Sequence, residues 1–474
     1  MIDDGKQRRR GTQLVSYFAL IALTVGGFLA VRAFGRDLVA PVPGAAAQVF
    51  GAGDSKVKVD VLMHVLLALA VIIVTARVLG AVFAWARQPA VIGEVLAGIF
   101  LGPSLLGRLS PEAAAFLLPP SVAPFLSILS QVGVLLYMFM VGLQLDFGMM
   151  RARTHATVAI SHASIIVPFL LGSVLALALY PRVATSDVPF TVFALFCGVS
   201  MSVTAFPVLA RILTDRSMHK SQLGTMALTC AAVDDVTAWC LLAFVVSIAN
   251  TQVGGAVRTA IFTVVYIVLV FTVLRPLVRR VINRYDDQPA PPHGLVAAIF
   301  VALLVSALIT EWIGIHAIFG AFLLGTIIPH ESKIAGELVR KLEDIVVILL
   351  LPAFFAYTGM RTQMSLVSGV TEWLLCALII ATASVGKFGG STLAARISGL
   401  SWRDSAALGI LMNTRGLMEL IVLNIGLDLK VISPELFAML VIMAVVTTFA
   451  TTPILHLVMK GSSSSAASMS SAAK

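Results

Sequence analysis

The chain alternates long apolar runs with short polar segments, and the length of these runs sets the class of fold. Runs of roughly 18 to 25 residues fit a hydrocarbon core about 30 Å thick, so each predicts a membrane-spanning helix. The predicted spans are 14–34, 60–84, 90–107, 120–144, 153–180, 189–213, 221–249, 255–283, 293–311, 312–330, 336–362, 367–394, 402–426 and 433–459. The pattern therefore predicts an all-α polytopic membrane protein. Composition agrees, since 59% of residues are hydrophobic and only 12% are charged.

Basic residues predict the orientation of these spans. Lys6 and Arg8 to Arg10 precede the first span as a cytoplasmic flank, so every second loop is cytoplasmic. Those loops and helix ends carry the basic clusters Arg151/Arg153, Arg211/Arg216/Lys220, Arg275/Arg279/Arg280/Arg284 and Arg340/Lys341. This asymmetry follows the positive-inside rule and predicts that both termini are cytoplasmic. It also explains the net charge of +9 without a nucleic-acid partner, because no aromatic residues interleave with the basic ones.

The two ends are distinct from the membrane domain predicted at 60–459. Residues 1–59 hold the first span and an external linker. Arg8 to Arg10, an apolar segment and Ala45-Ala46-Ala47 also match a signal peptide with its cleavage site, and residues 35 to 59 are external in either case. Residues 460–474 form a Ser/Ala-rich tail that cannot bury a core, so we expect it to be disordered, with no soluble regulatory domain after the last span.

The thirteen spans of the membrane domain divide into six, one and six. The halves are about 60–249 and 293–459, joined by a linking helix at about 255–283. Because the halves start from opposite sides of the membrane, they predict an inverted repeat, the architecture of many secondary transporters. Residues 97–102 (AGIFLG) in the second helix of one half resemble residues 320–325 (GAFLLG) in the second helix of the other. Such patterns of small residues also arise by chance in membrane helices.

Helix-breaking residues occur at matching places, in the fifth helix of each half. Pro207 follows Ser202-Val203-Thr204-Ala205-Phe206, and it removes a backbone donor and clashes with the preceding turn. Asn413-Thr414-Arg415-Gly416 interrupts the other helix, where glycine favours unwinding. Each alone could be an ordinary kink or loop. Paired interruptions indicate a transporter binding site, because unwound backbone exposes carbonyl groups and helix ends at the midplane.

Ionisable side chains inside the spans predict which groups carry the ion. Asp234 and Asp235 lie near the middle of the apolar run 223–248, a depth at which carboxylates usually mark an ion or proton path. Neighbours on a helix point about 100° apart, so these two cannot share one proton and have separate roles. Lys387 is either a snorkelling lysine or a buried partner for one aspartate. Arg415 and Glu419 are four residues apart and can pair locally, as support for the interrupted helix.

These motifs together resemble the monovalent cation:proton antiporter-2 family, within the sodium/hydrogen and potassium/hydrogen exchanger superfamily. The resemblance covers roughly Val61 to Met459. Its motifs are residues 88–94 (QPAVIGE), 97–104 (AGIFLGPS), 204–207 (TAFP), 233–235 (VDD) and 409–420 (GILMNTRGLMEL). The resemblance implies two crossed, broken helices and a dimerisation domain, and hence a homodimer. It also implies that Asp235 carries the cation or proton while Asp234 pairs with Lys387. Many relatives end in a regulatory domain absent here, and the span at 14–34 lies outside their pattern.

The sequence therefore predicts a secondary active antiporter that lies in the lipid bilayer of a bacterial inner membrane and exchanges Na⁺ or K⁺ for protons. Asp235 would bind a proton or a dehydrated cation, helped by Thr204 and unwound carbonyls, and no cofactor is expected. A monovalent cation channel is the alternative. An intramembrane aspartyl protease, the enzyme alternative, needs two converging aspartates, whereas adjacent Asp234 and Asp235 diverge. Selectivity between Na⁺ and K⁺ depends on cavity size and ligand field, which the sequence leaves open.

Overall fold

A computed structural model describes residues 19, 22–35, 38, 61–144, 155–185, 188–216, 218, 221–250, 253–286, 288 and 291–459. These residues form helices and short connections, with no strand among them, so the all-α prediction is confirmed. The predicted tail at 460–474 and the possible cleavage site at Ala45-Ala46-Ala47 lie outside the described residues.

A short apolar helix, α1, precedes the helices of the first half. Together these helices are α1 Ala22–Phe34, α2 Val61–Trp85, α3 Ala90–Leu101, α4 Leu106–Leu109, α5 Pro111–Leu117, α6 Ala123–Gln144, α7 His155–Val183, α8 Phe190–Ser202, α9 Phe206–Asp215 and α10 Gln222–Asn250. Proline is compatible with the first turn of a helix, and α5 shows this. Pro111 lies in the first turn of α5, where its missing N–H leaves no lost hydrogen bond, and the Ser110 side chain caps the Ala113 N–H.

The linking helix and the second half contain three π-helical turns. The helices are α11 Val253–Leu269, α12 Arg275–Tyr285, α13 His293–Ile313, α14 Ala317–Ile327, α15 Lys333–Ile345, α16 Leu351–Arg361, α17 Val370–Ser384, α18 Gly390–Ile397, α19 Trp402–Met412, α20 Leu417–Asp428 and α21 Pro434–Met459. The π-helical turns Val270–Leu274, Val346–Leu350 and Val385–Gly389 join α11 to α12, α15 to α16 and α17 to α18. Such turns add a residue to a helical turn and often occur at functional sites.

Every predicted span has a helical counterpart, but not all of them are long, apolar helices. Ten helical stretches of the described chain are long and apolar enough to cross a membrane, or eleven if the bent pair α19 and α20 forms one span. The other predicted spans correspond to α1, to the eleven-residue helix α14, and to α15 with α16. The last pair begins with the charged segment Lys333–Ile345, so its apolar part starts later than the sequence pattern suggested.

The helices pack into two groups with limited contact between them. The core group is defined as α7 to α10 and α17 to α21, and the scaffold group as α2, α3, α6 and α13 to α16. Dense packing occurs within each group, for example of α7 on α8 and of α6 on α14. Contacts between the groups include those of α16 with α20 and of α3 with α21. The linking helix α11 joins α10 of the core to α13 of the scaffold.

Matched glycines allow two close helix crossings within the scaffold group. A Cβ atom on Gly102, at the end of α3, would lie 2.8 Å from Met360 Cα of α16. A Cβ atom on Gly325 of α14 would lie 2.3 Å from the Phe139 carbonyl oxygen of α6. Both glycines end the similar segments 97–102 and 320–325, and each packs its helix on one from the other half. This reciprocal pattern is what an inverted repeat predicts.

Candidate functional site

Two interrupted helices meet at the centre of the core group. Residues 203–205 are extended between α8 and α9, and residues 413–416 separate α19 from α20, whose axes bend by 42°. The breaks are hydrogen-bonded to each other, because the Ala205 N–H donates to the Thr414 carbonyl oxygen at 3.0 Å. The Thr204 hydroxyl also donates to the Met412 carbonyl oxygen at 3.3 Å. Backbone groups freed by one interruption therefore find partners in the other.

Neither helix breaker bends a continuous helix. Pro207 lies at the start of a helix, and Gly416 allows the close approach of side chains from α9 and the segment before it. Pro207 is the second residue of α9, so its missing N–H falls in a first turn where it costs no intrahelical bond. The interruption itself lies upstream of it. Gly416 precedes α20, and a Cβ atom there would lie 2.6 Å from Val208 Cγ2 and 3.4 Å from Ala205 Cβ. We attribute the need for glycine at 416 to this close approach.

Asp234 is fully buried and accepts four hydrogen bonds. Ser161 Oγ donates to Oδ1 at 2.8 Å, while Ser164 Oγ and Thr204 Oγ1 donate to Oδ2 at 2.5 and 2.9 Å. Lys387 Nζ donates to Oδ2 at 3.1 Å. Bonds to a carboxylate are stronger than neutral ones, and together these four hold its negative charge in place. Thr204 thus contacts Asp234 in this structure, and its help in binding a cation at Asp235 stays a prediction.

Lys387 is a buried partner and does not snorkel, since its side chain is fully buried. Besides Asp234, its ammonium donates to the carbonyl oxygens of Ser164 at 2.9 Å and Ser202 at 2.5 Å. All three of its donors are used. Ser202 is the last residue of α8, so the positive charge also lies at the negative end of that helix dipole.

The π-helical turn around Lys387 lets α7 pack closely beside it. A Cβ atom on Gly386 would lie 2.8 Å from Pro168 Cα, and one on Gly390 would lie 2.9 Å from Val167 Cβ. Ser161 and Ser164, which bond Asp234, are on the same helix α7. The glycines beside Lys387 thus bring together the lysine and the helix that supplies two of the hydroxyl groups.

Asp235 has a different environment from its neighbour. Its side chain is buried, with 3% exposure, and neither carboxylate oxygen accepts a hydrogen bond from a side chain among the described residues. The backbone N–H of Phe206 is directed at the carboxylate as a hydrogen-bond donor, and Asp234 and Lys387 act on it electrostatically. Tyr137 of α6, a scaffold helix, is also within its electrostatic reach. Asp235 therefore has fewer hydrogen-bond donors around it than Asp234 has.

Arg415 and Glu419 form a fully buried ion pair, with Arg415 Nη1 2.7 Å from Glu419 Oε2. The same guanidinium donates to the carbonyl oxygens of Ser200 at 2.7 Å and Met201 at 2.8 Å, in the last turn of α8. It therefore closes the end of an interrupted helix. Asn413 lies at the other break, where its side-chain Oδ1 is buried without a hydrogen-bond partner in the described part of the chain.

Sequence reasoning missed the hydroxyl groups of Ser161 and Ser164. A signal was present, since two serines three residues apart on an apolar span fall on one helix face. Serine is common enough in membrane helices that this spacing alone points to no particular partner. The register of α7 against α10 is needed to show that both hydroxyl groups meet Asp234.

Fold and site together define a polytopic transporter-class protein with crossed, interrupted helices. A family model described as "Sodium/hydrogen exchanger, transmembrane" matches residues 64–461. The chain therefore belongs to the sodium/hydrogen exchanger family, and the resemblance drawn from its motifs is confirmed.

Similar proteins carry related names. The chain is 45% identical to "Na(+)/H(+) antiporter NhaS4" of Synechocystis, over 83% of this chain and 97% of that protein. It is 34% identical to "K(+)/H(+) antiporter 1" of Saccharomyces cerevisiae, over 79% of this chain and 44% of that protein. It is 38% identical to "Cation/H(+) antiporter 18" of Arabidopsis thaliana, over 83% and 49%. The chain spans about half the length of these last two relatives.

A solved structure shares the fold. The sodium proton antiporter MjNhaP1 from Methanocaldococcus jannaschii superimposes with a TM-score of 0.57, covering 85% of this chain and 98% of that one. The sequences are 14% identical, so this likeness bears on the fold alone. It confirms the inverted-repeat antiporter fold predicted from the sequence.

Proposed function

We propose that this protein exchanges a monovalent cation, Na⁺ or K⁺, for protons by alternating access, with both ions competing for Asp235. The observation that carries the proposal is the contrast between the two aspartates. Asp234 accepts hydrogen bonds from four side-chain donors, whereas the buried oxygens of Asp235 accept none from a side chain among the described residues. The named antiport activities of the relatives support the exchange of a cation for protons.

The chemistry of Asp235 follows from its burial. A buried, ionised carboxylate without partners is costly, and it becomes stable either by taking a proton or by binding a cation. Each occupant excludes the other because they neutralise the same charge. The unwound backbone and the free Oδ1 of Asn413 would supply further oxygen ligands at the crossing. Competition for one carboxylate couples the two fluxes without a separate gate.

Asp234 and Lys387 have a supporting role in this mechanism. Their ion pair, three hydroxyl donors and two carbonyl acceptors hold the crossing together. Because the Asp234 oxygens are already occupied by four hydrogen bonds, this carboxylate does not need to exchange ligands during transport. Arg415 stabilises the end of α8 in the same way, with Glu419 as its counter-charge.

We extend the proposal to assembly and location. The protein would form homodimers in a bacterial inner membrane with both termini cytoplasmic. Its family and its apolar helices support an integral membrane protein surrounded by lipid.

Competition at one carboxylate predicts a specific pH dependence. The half-saturating cation concentration should rise about tenfold for each unit by which pH falls, once Asp235 is mostly protonated, because one proton leaves for each cation bound. Maximal velocity should change far less over the same range. The measurement is a series of cation-concentration curves in proteoliposomes at several pH values, with Na⁺, K⁺ and Li⁺ tested in turn.

Two results would contradict the proposal. A half-saturating concentration that stays constant from acid to alkaline pH would mean that the proton and the cation use different sites. Cation flux far faster than a turnover cycle, with no obligatory movement of protons, would indicate a channel instead of an antiporter.

A further inference from the structure

A polar cluster joins the scaffold and core groups at the end of the bundle that the basic residues predict to be external. Arg361, the last residue of α16, donates from Nη1 to Asn424 Oδ1 at 3.0 Å and from Nη2 to Asp428 Oδ1 at 2.6 Å. The Asn424 amide donates to the Thr358 hydroxyl at 2.8 Å. Two residues of a scaffold helix therefore hold two residues of a core helix through three hydrogen bonds.

Spacing along both helices makes the cluster a continuous contact between two faces. Thr358 and Arg361 are three residues apart on α16, and Asn424 and Asp428 are four apart on α20, so each pair lies on one helix face. The charged Arg361 side chain is only 7% exposed, while that of Asp428 is 53% exposed. Arg361 is therefore fixed at the interface, and Asp428 closes the cluster from the solvent side.

The guanidinium group suits this position because of its shape. Its planar fork reaches an amide oxygen and a carboxylate oxygen at the same time, which a single ammonium would do less well. It also lies over the Tyr357 ring, with Cζ 5.4 Å from the ring centroid. These contacts restrict the arginine to one geometry across the two helices.

A single rigid element connects the cluster to the ion site. Asp428 is the last residue of α20 and Gly416 precedes its first, so the helix of twelve residues is about 18 Å long. Its first turn carries Glu419, the partner of Arg415 at the helix crossing. A displacement of the crossing relative to the scaffold must therefore move Asn424 and Asp428 relative to Arg361.

We propose that Arg361, Asn424 and Asp428 form a latch that holds the external end of the protein closed and opens once in each transport cycle. The proposal rests on the alternating access of the proposed function, in which one helix group moves against the other around the ion site. Opening the external end separates α16 from α20 and breaks the latch. Its contacts therefore favour the conformation that is closed on that side.

Reversible cross-linking tests whether the latch has to open. Arg361→Cys and Asp428→Cys are combined in a background without the native cysteines, and a short bifunctional methanethiosulfonate reagent spans the gap that the arginine fills. We expect exchange in proteoliposomes to fall to background on cross-linking and to return when the link is reduced. Wild-type exchange in the fully cross-linked protein would overturn the proposal. Absence of exchange in the unsubstituted protein, measured in parallel, would count against the proposed function instead.

A matched pair at the same end provides the control. Ser104 Oγ accepts from the Met364 N–H at 3.0 Å and donates to the Thr362 carbonyl oxygen at 2.8 Å. Ser104 follows α3 and Met364 follows α16, both scaffold helices. Ser104→Cys with Met364→Cys, cross-linked by the same reagent, should keep its exchange activity because the link does not join scaffold to core.

A charge-neutralising variant tests, without cross-linking, whether the latch favours the conformation that is closed on the external side. Asp428→Asn should lower the half-saturating concentration of cation supplied on the face that carries Arg361, by about three- to tenfold, because the open conformation becomes more populated. Glu112→Gln removes an exposed carboxylate of α5 at the same end and should leave this concentration unchanged. Equal values for Asp428→Asn and the parent protein would show that the pair does not hold the external end closed.

Discussion

Cation-dependent proton flux should fall to background in Asp235→Asn, with the protein still folded. An asparagine amide cannot release a proton and carries no charge for a cation, so neither half of the exchange can occur. The loss of a buried carboxylate to which no described side chain donates should not reduce stability, because a neutral amide costs less to bury. The measurement is proton flux in proteoliposomes alongside thermal unfolding of the purified protein.

A second carboxylate provides the control for this result. Asp344→Asn makes the same replacement of a carboxylate by an amide at an exposed aspartate of α15, and it should leave flux unchanged. Substantial cation-dependent flux in well-folded Asp235→Asn would exclude Asp235 as the carrier. If Asp234→Asn alone abolished flux while Asp235→Asn retained it, the roles given to the two aspartates would have to be exchanged.

The second large effect concerns the pair of Asp234 and Lys387. Lys387→Ala should destabilise the protein by about 3–5 kcal/mol, because removing one partner of a buried ion pair leaves the other charge uncompensated. The carbonyl oxygens of Ser164 and Ser202 lose their donor in the same variant. Asp234→Asn added to Lys387→Ala should restore part of this stability by removing the orphaned charge.

Thermal unfolding of the two single variants and the double variant forms a double-mutant cycle. Losses that simply add would mean that Asp234 and Lys387 contribute independently, contrary to the 3.1 Å contact between them. Lys341→Ala is the matched control, since Lys341 pairs with Glu337 at 3.5 Å on the exposed face of α15. Exposed pairs are screened by water and salt, so little change is expected there.

Helix number and order could be predicted from the sequence with good agreement, because apolar length is a local property. Each predicted span has a helix at nearly the same place. The exceptions show where the rule fails. Residues 336–362 mix the amphipathic helix α15 with an apolar part, and 312–330 contain a helix of only eleven residues. Helices packed among other helices do not need to be as long as the bilayer is thick.

The interruptions were also predictable, although their mechanism was not. Pro207 and Gly416 mark the right places in the sequence, since both residue types disfavour a continuous helix. The structure shows that Pro207 begins a helix and that Gly416 makes room for Val208 and Ala205. The conformational preferences of proline and glycine identify the interrupted positions. The side chains that would collide with a Cβ atom at 416, however, come from a distant part of the chain.

The sequence by itself determined the class of protein, the repeat and the identity of the buried charges. Apolar run length, the positions of basic residues and the motifs around Asp234, Asp235, Lys387 and Arg415 are all local signals. Only the tertiary structure decided which of these groups meet. Thr204 contacts Asp234, two unforeseen serines join it, and Arg361 links two helix groups. Hydrogen bonds extend over about 3 Å, and at that scale the relative register of separate helices, which no local pattern specifies, determines every partner.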